Sequence, residues 1–169
     1  MEDEKIAPKR KNIRLKGFDY SNKGAYFLTI RTQNREKFLS EIVGEGFPLL
    51  KLSPYGEIVD RWIRKIPEKY PGTCVGIYVI MPDHIHMVLS ITADSGRGNP
   101  SPTVNTVVGW LKYQTAKEIN ILRGSIGKKV FQRSFFDHII RGTDDYYEIC
   151  KYIDENPMRR YYDKLYRER

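Results

Sequence analysis

Residues 81–91, MPDHIHMVLSI, constrain the fold more than any other stretch of the chain. Side chains alternate faces along a strand. His84, His86, Val88 and Ser90 therefore share one face, and Ile85, Met87, Leu89 and Ile91 share the other. The second set is large and wholly apolar, so it must face a core. The first sets two imidazoles roughly 6–7 Å apart at their backbones on a partly open face, close enough to converge on one divalent ion. The bland alternative is an ordinary polar strand start. Two of the chain's three histidines lie here.

Around this strand the chain reads as α+β. Alternation and aromatic content predict a strand over 25–34, with Phe27 and Thr29 on one face and Tyr26, Leu28 and Ile30 on the other. Residues 36–52 read as a hairpin turning near Gly44 and Gly46, with Pro48 marking a sheet edge. Ser53 followed by Pro54 starts a helix whose apolar face is Ile58, Val59, Trp62, Ile63 and Ile66. A strand over 74–80 joins residues 84–91 through Pro82 and Asp83, a connection so short that the two must be antiparallel neighbours. Residues 93–103 are a Gly, Pro and Ser linker. A helix follows over 106–122, its apolar side Val107, Val108, Leu111, Ala116, Ile119 and Leu122. Residues 131–140 read as an extended segment packed on the domain, and a last helix is expected to stop at Pro157, with the tail beyond it open to reading as a continuing helix that packs by its aromatics. Asp144 caps it or lies in its first turn. An antiparallel sheet with covering helices, of ferredoxin-like type, fits this order.

Length and composition set the class. A chain of 169 residues suits one domain, here with a basic arm over 1–17 and a basic tail over 158–169. No run approaches the apolar length of a membrane span, and the charged start has no secretory core, so a cytoplasmic location without membrane contact is expected. Cys74 and Cys150 read as small buried hydrophobes in a reducing compartment. Lys plus Arg number 29 against 21 acids, a net charge of +8 that favours polyanionic partners. Lys9, Arg10, Lys11 and Arg14 in the arm, Arg31 at a strand end, Lys112, Arg133, and Arg159 and Arg160 in the tail are candidates to grip phosphates.

On the last helix Ile149, Tyr152, Ile153 and Asn156 recur at intervals of three and four, so they line one side. Ile149 and Ile153 should pack on the sheet, leaving Tyr152 and Asn156 at the rim. If that helix covers the histidine face, a phenol, an amide oxygen and two imidazoles meet around one ion. A phenol, with a pKa of about 10, is a poor nucleophile at neutral pH. Against a phosphodiester polarised by a metal held by His84, His86 and Asn156, it becomes a useful one. The product would be a phosphotyrosine and a free sugar hydroxyl, a bond-conserving step that suits strand transfer. Packing alone is the alternative for Tyr152, one of twelve tyrosines.

MPDHIHMVLS resembles the His-hydrophobic-His signature of the HUH nucleases. KYIDENP, over 151–157, resembles the tyrosine helix of their single-tyrosine branch, the REP-associated, insertion-sequence-200-like transposases. IRLKGFDYSNKGAYFLTIRTQNRE, VVGWLKYQTAKEIN and FQRSFFDHIIR add three further blocks in the family's order, so the likeness spans about residues 13–157. The resemblance implies His84 and His86 as metal ligands, Tyr152 as nucleophile and Asn156 as the group completing the metal shell. It also implies Mg2+ or Mn2+, single-stranded or hairpin DNA as substrate, a 5′-phosphotyrosine intermediate and an RNA-recognition-like fold. Family members include monomers and dimers, so a homodimer stays open. Two rivals keep the same fold: a non-catalytic binder of structured DNA or RNA, and a hydrolase using water, for which Asp83 is the adjacent carboxylate.

Overall fold

The computed structural model describes residues 24–44, 48–92 and 102–167, with side chains as far as residue 162. Four strands form the main sheet: β1 (Gly24–Arg31), β4 (Thr73–Met81), β5 (His84–Ile91) and β6 (Phe136–Ile140). Their order is β4-β5-β1-β6, with every neighbouring pair antiparallel. Between them run α1 (Pro54–Arg64), the single turn α2 (Ile66–Lys69) and α3 (Val104–Arg123), and the chain continues into α4 (Gly142–Arg167). Strand, helix, strand, strand, helix, strand with β1 and β5 central is the ferredoxin-like arrangement. A separate hairpin of β2 (Ser40–Val43) and β3 (Leu49–Leu52) is inserted before α1.

The predicted division of β5 holds. Ile85, Met87, Leu89 and Ile91 join Tyr26, Leu28 and Ile30 in one core closed by Ile58, Val59 and Ile63 of α1 and by Val107, Val108 and Leu111 of α3. Ser53 caps α1 through a bond from the Gly56 amide to its hydroxyl, and its hydroxyl donates to the Phe38 and Leu39 carbonyls. Gly56 is required here: a Cβ on it would lie 2.0 Å from the Leu39 carbonyl oxygen. Thr103 and Thr106 cap α3 reciprocally.

The opposite face carries a smaller cluster. Phe27 and Val88 pack under Ile153, with Ile149, Ile77 and Val79 beside them. A bulge between Val75 and Tyr78 sets Gly76 and Ile77 opposite Val88 and turns Ile77 to this face. Gly142, with φ at 83°, supplies the left-handed turn that folds α4 back across the sheet from β6.

Several expectations need correction. Pro157 does not end the last helix, which continues to Arg167. Proline removes one amide donor, and ion pairs made by the residues beyond it, Arg159 back across it to Glu155 and Arg160 to Asp83, support the continuation. The segment over 131–140 is more than packed chain: its second half is β6, paired with β1 along Ala25–Thr29. Arg31 therefore stands at the end of an inner strand. Leu122 is exposed, since α3 turns it past the edge of the core. Cys74 is exposed and Cys150 half-buried, both free, because Cys74 lies opposite Ser90 at the thinly covered end of the second face. The linker over 93–101, the arm over 1–17 and the hairpin tip at 45–47 lie outside the described residues. Among those described, no helix is long and apolar enough to cross a membrane.

Candidate active site

The histidine pair opens the site. His84 and His86 are 8% and 5% exposed, with ring centroids 4.5 Å apart. Each ring is oriented through Nδ1. That of His84 meets Asp83 Oδ1 at 2.7 Å, and that of His86 meets Thr29 Oγ1 at 2.9 Å. A carboxylate only accepts, so the Asp83 contact puts a proton on Nδ1 of His84 and leaves Nε2 as its other nitrogen. Burial, and then the charges of His84 and Arg31, push the His86 pKa down to about 3. That ring is therefore neutral at physiological pH, the state in which an imidazole binds metal.

α4 crosses this face with the predicted spacing. Ile149 and Ile153 enter the small apolar cluster. Tyr152 and Asn156 then line a cleft of ≈ 350 Å3 together with both histidines and Thr29. The Tyr152 ring is 5.4 Å from the His86 ring at an angle of 61°, and 6.0 Å from Phe27 edge-on. Phe27 in turn lies 5.2 Å from His86, so the three rings fix one another. Tyr152 is 39% exposed, which leaves it open to the cleft, while Asn156 is buried.

Four guanidinium groups, Arg31, Arg35, Arg159 and Arg160, complete the cleft wall. Arg159 pairs with Glu155 and lies 5.8 Å from the Tyr152 ring centre. Arg35 bonds Asp83 through Nε at 2.8 Å, and Arg160 approaches the same carboxylate at 3.5 Å. Burial pushes the Asp83 carboxyl up, but hydrogen bonds from His84 and Arg35 outweigh it and hold the group well below the usual carboxylate range. Arg35 reaches Asp83 from a 3-10 turn in which Asn34 and Arg35 both adopt left-handed backbone, φ 53° and 59°. Such conformations cost non-glycine residues on the order of 1–3 kcal/mol each and collect at functional sites. Sequence reasoning missed Arg35 and Thr29 as parts of the site. Thr29 was legible from the β1 face it shares with Phe27; Arg35 was legible only as part of the basic end of that strand, with nothing local tying it to Asp83.

The other basic candidates fall elsewhere. Lys112 Nζ donates to the carbonyls of Gln132, Arg133 and Ser134, tying α3 to the chain before β6. Arg133 is exposed outside the cleft lining. Lys9, Arg10, Lys11 and Arg14 lie outside the described residues. His138 bonds Asp145, which also accepts the Arg141 amide, so it ties β6 to the start of α4.

The donor set fits a divalent ion only in part by itself. Among the described residues no three His, Cys, Asp or Glu side chains converge. An ion here would rest on two imidazoles and the Asn156 amide oxygen, with its remaining positions left to water or substrate oxygens.

Comparison with known proteins identifies the family and the fold. The family described as transposase, IS200-like, matches residues 21–156. An uncharacterised protein of Haemophilus influenzae is 29% identical over 93% of this chain and 93% of its own. A second protein of that organism, named as a candidate REP-associated tyrosine transposase, is 24% identical over 89% of this chain and 79% of its own. Among solved structures, a REP-associated tyrosine transposase bound to a REP hairpin superposes with a TM-score of 0.61 at 22% identity, covering 87% of this chain and 74% of that one. A candidate transposase from Deinococcus radiodurans gives a TM-score of 0.50 at 18% identity, covering 84% and 97%. These two structures share the fold. With most of its length, including both histidines, Tyr152 and Asn156, inside the matched region, the chain belongs to the IS200-like transposase family.

Proposed function

We propose that this protein is a metal-dependent endonuclease and strand transferase acting on single-stranded or hairpin DNA, with Tyr152 as its nucleophile. The observation that carries the reading is the seat of the Tyr152 ring, 5.4 Å from His86 at the mouth of a cleft walled by arginines. The reading also draws support from family membership and from the hairpin named with the solved relative.

In this scheme His84, His86 and Asn156 hold Mg2+ or Mn2+, which when bound would withdraw charge from a phosphodiester's non-bridging oxygens. Imidazole ligation suits Mn2+ better than Mg2+, which prefers an all-oxygen shell. Arg31, Arg35 and Arg159 contribute charge-assisted bonds to phosphate oxygens and orient the strand, while Arg160 lies against Asp83. The Tyr152 oxygen attacks phosphorus, its proton leaves, and the new O–P bond forms as the bond to the 3′-oxygen breaks. The 3′-oxygen takes up a proton and departs as a hydroxyl, leaving a 5′-phosphotyrosine. The exchange of one phosphodiester for another is reversible and hands the 5′ end to an acceptor hydroxyl.

A water-using hydrolase is less well supported, since Asp83 is committed to His84, Arg35 and Arg160 and does not line the cleft. The test is a labelled hairpin or single-stranded oligonucleotide incubated with the protein and Mn2+. A band resistant to denaturing electrophoresis, lost in Tyr152→Phe and on chelation, upholds the proposal. Cleavage that survives Tyr152→Phe points to the hydrolase, and binding with neither adduct nor cleavage points to a binding module.

A further inference from the structure

Asp83 is the most heavily used buried charge among the described residues, and the chemistry above assigns it no step. Its side chain is 2% exposed, yet it meets three cationic or protonatable partners from three parts of the chain. His84 follows it in sequence, Arg35 comes from the strained turn after β1, and Arg160 comes from α4. The backbone around it is pinned as well: Thr32 donates both its amide and its hydroxyl to the Asp83 carbonyl, and the Phe38 and Leu39 amides donate to Pro82. The carboxylate is therefore a fixed point against which mobile elements can be registered.

Arg160 is placed to use it. It stands four residues beyond Asn156 and eight beyond Tyr152, on the same side of α4, about two turns from the nucleophile. Apart from this contact, the sheet-facing side of α4 near the cleft rests on the small cluster of Phe27, Val88 and Ile153. A helix end held by so little apolar contact needs a polar anchor to fix its rotation.

Building on the transposase reading, we propose that Asp83 and Arg160 form a latch that seats α4, so that one carboxylate positions both the His84 ring and the tyrosine that must work beside it. Asp83 and Arg160 are positioning residues in this scheme, and substrate is not needed for the latch to close. The guanidinium stays 39% accessible, so the contact can register the helix without burying the Arg160 charge.

The test uses the full chain and two readouts. In Arg160→Gln, adduct formation at saturating oligonucleotide should slow about tenfold while the oligonucleotide Kd changes less than about threefold, and Arg160→Lys should recover most of the rate. Without DNA or metal, amide hydrogen exchange over residues 149–160 should accelerate about tenfold in Arg160→Gln and in Asp83→Asn. The double variant should exchange no faster than the worse single one, because both remove the same contact. Wild-type exchange in Arg160→Gln, additive effects in the double variant, or a defect lying wholly in Kd would each overturn the latch. If the wild-type protein forms no adduct, the exchange data still decide the latch, and the transposase reading falls alone.

Discussion

The two faces of the central sheet are built to different ends. The face under α1 and α3 is closed by some twenty buried apolar side chains with no titratable group but the Tyr26 phenol among them. The face under α4 has a cluster of three buried apolar residues and Met81 beside His84, and its other buried positions include Thr29, His84, His86 and Asn156. One face supplies the free energy that keeps the fold; the other spends part of it on oriented polar groups. The division follows from β5 itself, where a period of two sends Ile85, Met87 and Leu89 one way and the histidines the other. Chemistry and stability are thus encoded in alternate letters of one strand.

This contrast can be broken at either face. Tyr152→Phe should abolish the covalent DNA adduct, yet change unfolding free energy by no more than about 0.5 kcal/mol, read by denaturant titration. Mixing it with His86→Ala separates the two ways of making the site: no recovery keeps Tyr152 with the histidines of its own chain, and recovery means a helix exchanged between two copies. Next in size, Leu89→Ala on the opposite face should cost about 2–5 kcal/mol of stability and leave the adduct yield of the folded fraction unchanged. Ile153→Ala, at the heart of the smaller cluster, should cost about 2 kcal/mol and slow the adduct step as well. If it cost as much as Leu89→Ala with no effect on chemistry, the functional distinction between the faces would be lost.

The smallest effect lies at the rim of the large core. Tyr78 donates to Asp60 at 2.6 Å, and burial together with that carboxylate pushes the phenol up to about 12. Burial raises the Asp60 carboxyl, but Arg64 and Tyr78 outweigh it and hold the group below its ordinary value. A carboxyl lowered in the folded state stabilises the fold above its unfolded pKa of about 3.9, and that contribution is lost as pH falls through the lower folded value. Tyr78→Phe should therefore cost about 1 kcal/mol near neutrality and show a shallower loss of stability on acidification.

Much of this was legible in the sequence wherever a local rule was enforced by burial. The alternation of residues 84–91, the Ser53 and Pro54 start of α1 and the spacing of Ile149, Tyr152, Ile153 and Asn156 all carry their periodicity openly. β6 was obscured because FQRSFFDHII mixes aromatic and polar residues without alternation, as an edge strand with two half-covered faces can. Pro157 misled because a proline's local cost was outweighed by contacts made elsewhere along α4. Arg35 was unreadable as a site residue for a different reason. Its place in the cleft depends on a left-handed turn and on Asp83, 48 residues away, and neither leaves a local signature.

The near-contact between Gly56 and the Leu39 carbonyl has reach beyond α1. Leu39 hands its amide to Pro82, and Pro82 is bonded to Asp83, which sets the first imidazole. A lone methyl added at Gly56 would press on Leu39 and so along this short relay toward the histidine pair. The back of the protein is thus mechanically geared to its front, and drift in sequence there is not free.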